Sequence, residues 1–207
     1  INISYLTTPC INPACSFVSE NINKRTTDAP FINTFTSENT TNKLWSSSNT
    51  SVATANPNTG EVTITGAGIA NIQVTQEADA TYCAVSASYL LTVIKSEPTA
   101  HVINFDAVNN GSSAIILAWT DAADADGYLI KATTTGYEAI TTPVDGIPET
   151  DETLVKNVLQ GEEIVEFTDL TASTTYYFKI WPYSNSDTKI DYKTDGTAPI
   201  ISATTTP

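Results

Sequence analysis

Six short stretches of this chain alternate apolar and polar residues with a period of two: "NIQVTQ", "SASYLLTVI", "SSAIILAWT", "GYLIKATT", "EIVEFTDL" and "TYYFKIWPY". They are rich in Val, Ile, Tyr, Phe and Thr and are bounded by Gly, Pro, Asn and Asp. That is the pattern of strands separated by turns. Helical periodicity is nearly absent. Many short strands with no helices to cover them must pack sheet against sheet, so the chain is expected to be all-β and built from β-sandwiches. Hydrophobic residues make up 41% and charged residues 15%. The first figure suffices for cores, and the abundant Ser, Thr and Asn suit the outward faces of strands.

At 207 residues the chain is long for one small domain and comfortable for two. The apolar strand at residues 89–94 stops at "IKSEPTAHV", where Pro98 breaks any continuation. Charge changes at the same place. Residues 1–95 hold six acids and four bases, whereas residues 96–207 hold seventeen acids and five bases, together the formal net charge of −14. The seam is placed near residue 97, giving one module over 12–96 and another over 97–207. Residues 1–11 fit neither and read as a remnant or leading segment, the last strand of a preceding domain. The opening "INISYLTTPC" has neither an initiator Met nor a signal peptide, which suggests a piece of a larger or processed protein.

This balance of charge repels phosphate backbones, so no nucleic-acid partner is expected. An acidic surface mainly confers solubility and can attract divalent cations. No apolar run reaches the roughly 18 residues of a membrane span.

In the second module, strands are expected over about 101–108, 112–120, 127–133, 137–141, 153–157, 162–168, 174–184 and 198–205. "TDLTASTTYYFKI" places Leu170, Tyr176, Phe178 and Ile180 at the spacing of a Leu plug, a turn and a Tyr opening the next strand. That arrangement resembles the tyrosine corner, in which a Tyr hydroxyl bonds back to loop backbone. With Trp119 in "IILAWTDA" and Tyr128 in "DGYLIKA", residues 98–206 resemble a fibronectin type III domain. Two stretches depart from that family: residues 136–152, and "SNSDTKIDYKTDGTAP" before the last strand.

In the first module, "WSSSNTSVATANPNTGEVTITGAGIANIQV" resembles a bacterial Ig-like domain of group 2. Its pieces have physical reasons. Trp45 ends a strand and fills the core, and Ser46 to Asn49 turn the chain through side-chain bonds to backbone. Val52 and Ala53 form a short strand covering the sandwich edge. "NPNTGE" is a turn in which Gly60 is free to take positive φ, and Gly66 and Gly68 allow close backbone approach before the next strand. Together the resemblances imply two tandem Ig-like β-sandwiches.

The Ig-type resemblance also bears on the cysteines, Cys10, Cys15 and Cys83. In that topology the first and last strands run parallel, which places the start of one near the loop before the other. Cys83 is therefore expected to pair with Cys15 or Cys10, closing a loop of about 70 residues and stabilising by roughly 2–4 kcal/mol. A zinc site would need four soft ligands, and the one His, His101, lies far from them in sequence.

Catalysis finds little support. His101 stands without a nucleophile motif beside it, and the acids lie in loops such as "DAADADG" and "PETDE" with no framework that faces two across a cleft. No enzyme activity and no cofactor are expected. Asp121, Asp124 and Asp126 form a weak calcium candidate whose spacing is not that of an EF-hand. Asn39 and Asn49 sit in glycosylation sequons, which the bacterial resemblance discounts.

Trp181 and Tyr183 share a strand face away from Phe178 and Ile180, with Pro182 marking an edge or bulge. The favoured role for Trp181 is to cover the insertion at 136–152; contact with a ligand through Trp181 and Tyr183 is the alternative. What the resemblance implies is a pair of non-catalytic adhesion or spacer modules of a secreted or cell-surface bacterial protein, whose partners are its other domains and a surface protein or glycan. The competing reading is a carbohydrate-binding accessory module attached to a polymer-degrading enzyme.

Overall fold

In a computed structural model that describes residues 9–207, each of the six alternating runs contains a strand. Residues 1–8 lie outside the described residues, and with them most of the leading segment. The chain divides into two compact units between Lys95 and Ser96.

The first unit contains β1 (Cys15–Phe17), β2 (Asn21–Arg25), β3 (Phe35–Ser37), β4 (Lys43–Ser47), β5 (Ala53–Ala55), β6 (Val62–Ile64), β7 (Gly68–Gln76) and β8 (Val85–Ile94). One sheet runs β2-β8-β7-β4, and the two-stranded pairs β1–β3 and β5–β6 supply the other side. Alternation explains the core. Ala70, Ile72 and Val74 of β7 and Tyr89, Leu91 and Val93 of β8 are all buried, on the same sheet face as Trp45 and packed with Phe35, Val52 and Val62.

Trp45 lies in the middle of β4, not at its end, because the strand continues through Ser46 and Ser47 paired with β7. The turn that follows β5 folds back onto it. Trp45 N donates to Pro57 O at 3.1 Å, and a Cβ at Gly60 would stand 2.5 Å from the indole. With φ at +75° as well, only glycine fits there without strain.

The pairing of β2 with β8 is parallel, from Asn21↔Leu90 to Arg25↔Ile94. Upstream of β2 the same relation persists: Ile11 bridges Tyr82 in parallel, and Cys83 N donates to Ile11 O at 2.9 Å. Cys10 is bonded to Cys83 across this register, while Cys15 is free and exposed. Cys10 and Ile11 thus belong to this sandwich and not to a leading segment.

The second unit contains β9 (Ile103–Asn109), β10 (Ile115–Thr120), β11 (Gly127–Thr133), β12 (Val155–Leu159), β13 (Ile164–Phe167), β14 (Thr175–Ser184), β15 (Asp191–Tyr192) and β16 (Ile200–Thr204). A three-stranded sheet, β13-β10-β9, packs against a five-stranded one, β12-β11-β14-β15, with β16 also on β14. Trp119 and Tyr128 meet in the core at 5.4 Å between ring centroids, beside Phe167 and Phe178. Thr171 N donates to the Tyr176 hydroxyl at 2.9 Å, five residues back in the chain, and Leu170 is buried beneath.

Two expectations change here. The strand expected at 137–141 is a single 3-10 turn, Tyr137–Ala139, because Gly136 at φ +116° breaks the extended run. Pro182 is not at an edge. It lies in the central strand, where the neighbour of β14 switches from β16 to β15. Pro182 O accepts from Lys193 N on that side, so its missing N–H faces the break between those two strands.

The seam is firmly folded into the second unit. Ser184 Oγ donates to Ser96 O at 2.7 Å, Lys193 Nζ meets Glu97 at 3.1 Å, and Thr99 donates to Asp124 from both backbone and hydroxyl. Pro98 is buried.

Tyr89 generates a test of the first unit's core. It is 2% exposed, its hydroxyl has no partner, and burial pushes its pKa up to about 12. An unfolded tyrosine ionises near 10. Between about pH 10 and pH 12 the unfolded chain therefore sheds a proton that the native state keeps, and stability falls as pH rises. In a Cys15→Ser background, Tyr89→Phe should match the parent's urea midpoint at pH 7 or exceed it, and should lose less at pH 11. Parallel losses in both proteins would refute the assignment.

Candidate functional site

The outward face of the five-stranded sheet holds the residues singled out for ligand contact. Tyr177, Lys179, Trp181 and Tyr183 alternate with the core residues Phe178 and Ile180 along β14. The side assignment follows from alternation, but the exposure does not. Trp181 is 2% exposed and Tyr183 is 9% exposed, so neither offers a ring face to solvent as a sugar-stacking platform requires.

The cover comes from the two stretches that depart from the fibronectin pattern. Leu129, Tyr183, Ile190 and Tyr192 form a second apolar cluster with Val155 against it. Gly146 N donates to Ile190 O at 2.8 Å, and Tyr192 N donates to Asp145 Oδ1 at 2.8 Å. The Tyr192 hydroxyl donates to Ile147 O and accepts from Glu149 N, both at 3.4 Å. Burial raises the pKa of Tyr183 and of Tyr192 above the ordinary tyrosine value. Gly127 is needed beneath, since a Cβ there would stand 2.5 Å from the Tyr183 hydroxyl.

Beside this layer a groove of about 350 Å³ opens between the 3-10 turn and the loop before β16. Tyr137, Glu138, Thr142, Lys179 and Thr197 line it, with Trp181 at its base. Lys131 stands directly opposite Lys179 across β11 and β14. Like charges in that position repel, and Lys131 is drawn off to Glu149 at 3.0 Å and Thr141 at 2.9 Å. The groove offers donors and acceptors for a small polar molecule.

The three aspartates of the calcium candidate each serve a different part of the fold. Asp121 accepts from Trp119 Nε1 at 3.3 Å and from Gly161 N at 2.7 Å. Asp124 holds Thr99, and Asp126 accepts from Asn185 N at 2.8 Å. Among the described residues no group of three or more His, Cys, Asp and Glu side chains is placed to hold an ion. His101 donates through Nε2 to Asp195 O at 2.9 Å, with Nδ1 buried and unpartnered.

Asn39 is buried, its amide donating to Glu77 O and Cys83 O, which leaves that sequon no accessible amide. Tyr192, expected near a loop as an exposed aromatic, is fully buried, and Leu129 and the Lys131–Glu149 pair escaped the sequence reading. Leu129 carried a signal: in "GYLIKATT" it is aliphatic at an outward position, the mark of a covered face.

Residues 25–85 match the family model for the bacterial Ig-like domain (group 2). No curated protein matches the chain. Among solved structures it is similar to the FN1–FN3 domains of chicken CNTN1 at 13% identity, covering 96% of this chain and 66% of that one with a TM-score of 0.46. Domains A168–A170 of titin align at 11% identity over 90% of this chain and 62% of theirs, with a TM-score of 0.46. The fn3 domain of human contactin 1 aligns at 17% identity over 55% and 84%, with a TM-score of 0.39.

The burial of Trp181 has a measurable consequence. Trp181→Ala should destabilise the second unit by about 3–5 kcal/mol, as a buried large-to-small change does. Chemical denaturation followed by near-ultraviolet circular dichroism reads it directly. An unchanged midpoint would mean the indole is an exposed contact residue after all.

Proposed function

We propose that this chain is a non-catalytic pair of spacer modules in an extracellular bacterial protein, bearing load between the parts it joins. The observation that supports this most directly is that in each unit a strand near the start of the module runs parallel to its last strand. β2 and β8 run parallel. In the second unit Asn109 donates to Thr204 O, and Thr206 N donates to Gly111 O at 3.1 Å, so β9 and β16 advance together as well. A leading segment parallel to the last strand, as at Ile11 beside Tyr82 and again at β2 beside β8, puts the entry and the exit of a module at opposite poles. A module threaded that way lengthens the chain it sits in, and tension across it shears strands along their length.

The disulfide adds to this reading. Cys10 and Cys83 are 73 residues apart in sequence. With the bond intact, tension entering at Cys10 passes straight to the segment leading into β8, and the residues between the cysteines cannot be drawn out. Disulfides persist in oxidising, extracellular compartments, which agrees with a bacterial Ig-like match over residues 25–85. The carbohydrate-binding alternative loses its premise of exposed aromatic rings, since Trp181 and Tyr183 are buried.

Single-molecule extension between the chain ends tests the proposal. Unfolding of the first unit should release only the short stretch after Cys83 while the bond is intact. Reduction should add about 250 Å of contour length, the reach of the residues between the cysteines. Equal extension with and without reductant would overturn it.

A further inference from the structure

The two open sheet faces of this protein are decorated in opposite ways. On the β2-β8-β7-β4 sheet, hydroxyl and amide side chains fill the middle of the outward face, and Gln73 bonds Ser86 across strands at 2.8 Å. The exposed aliphatics Leu44, Ile69 and Leu90 each stand opposite polar residues on it: Thr75, Thr92, and Asn71 with Asn21. On the β13-β10-β9 sheet, register sets Glu166, Ile116 and Val108 in one outward row and Ile164, Ala118 and Asp106 in the next. Ile164 is 60% exposed and Val108 is 58% exposed. Neighbours along and across such rows lie within side-chain reach, so Val108, Ile116, Ala118 and Ile164 form one continuous aliphatic band.

Aliphatic residues scattered singly over a surface need no explanation, whereas a continuous band does. Strand propensity accounts for Val and Ile as residue types. It does not account for aliphatics directly opposite one another, because the outward positions of the first unit meet the same demand mostly with Thr, Ser, Asn and Gln and set each exposed aliphatic against polar partners. The opposite sheet of the second unit is also different, since the chain covers that one with its own insertions.

Charge selects the occupant. Asp106 and Glu166 stand at opposite corners of the band, and those two rows hold no Lys or Arg. Residues 96–207 carry seventeen acids against five bases, so a second copy would set acid against acid. We propose that this face docks a partner protein that presents an aliphatic centre flanked by Lys or Arg, the aliphatics meeting the band and the cations meeting Asp106 and Glu166. A spacer needs no such band, so this goes beyond the load-bearing role.

The full chain, labelled with nitrogen-15, should be titrated with a synthetic peptide alternating Val and Lys, and separately with its Val and Glu counterpart. The Lys peptide is expected to shift amide signals of β9, β10 and β13 saturably, and the Glu peptide to shift none. Ile164→Ser should weaken the Lys peptide about tenfold while leaving the unfolding midpoint of the chain close to the parent's. Should Ile164→Ser fail to fold, Val108→Ser on β9 makes the same test. Shifts spread over the acidic loops and indifferent to both variants would overturn the proposal in favour of plain ion pairing. A concentration-dependent dimer in sedimentation, abolished by Ile164→Ser, would overturn it in favour of a second copy.

Discussion

The first sandwich depends on a pairing between strands that are far apart in the chain. β2 meets β8 in parallel, and a parallel pair cannot be made by a hairpin, so everything between must fold before the two can register. Closing so long a loop is costly in chain entropy. The Cys10–Cys83 bond sits at the upstream end of this register and restricts the unfolded chain before any strand forms. Ile11 and Tyr82 continue the alignment from the bond toward β2 and β8. The remaining long strands are antiparallel neighbours, β4 on β7 and β7 on β8, and the turn at Gly60 closes over Trp45 to complete the core.

The second unit reaches the same closure without a covalent bond. Its central strand, β14, serves three neighbours, β11 along its length and β16 and β15 in turn on the other side. Pro182 stands at the changeover, where a backbone donor would have no partner. The Tyr176 hydroxyl pins the loop that leads into this strand, and residues 96–99 are tied to Asp124, Ser184 and Lys193. The insertions then add a second apolar layer outside the five-stranded sheet. One broad face is closed by the chain itself, and the other is left bare and aliphatic.

Period-two alternation was legible throughout, since it reflects the geometry of a strand and nothing else in this chain competes with it. It also put Trp181 and Tyr183 on the correct side of β14. Their exposure was not legible, because alternation tells which way a side chain points and not what lies over it. Residues 137–141 read as a strand by composition, yet Gly136 and the absence of a pairing partner made them a turn. β15 is too short for any periodic signal. The aspartates at 121, 124 and 126 looked like a cluster because they are close in sequence, but each carboxylate turns to a different backbone donor. The run at residues 44–68, polar enough to pass for a linker, is a Trp-centred core segment, and the seam near Pro98 is itself folded.

In both modules the leading part of the chain closes onto the last strand, β2 on β8 in the first and β9 beside β16 in the second, with the closure covalent only in the first. Equilibrium urea unfolding of the whole chain, oxidised and reduced, tests this most directly, with Trp45 reporting on one unit and Trp119 and Trp181 on the other. Reduction should lower the stability of the first unit by about 4 kcal/mol, the loop entropy of a bridge spanning 73 residues, and leave the second transition where it was. A first transition unmoved by reductant, or two transitions that move together, would contradict it.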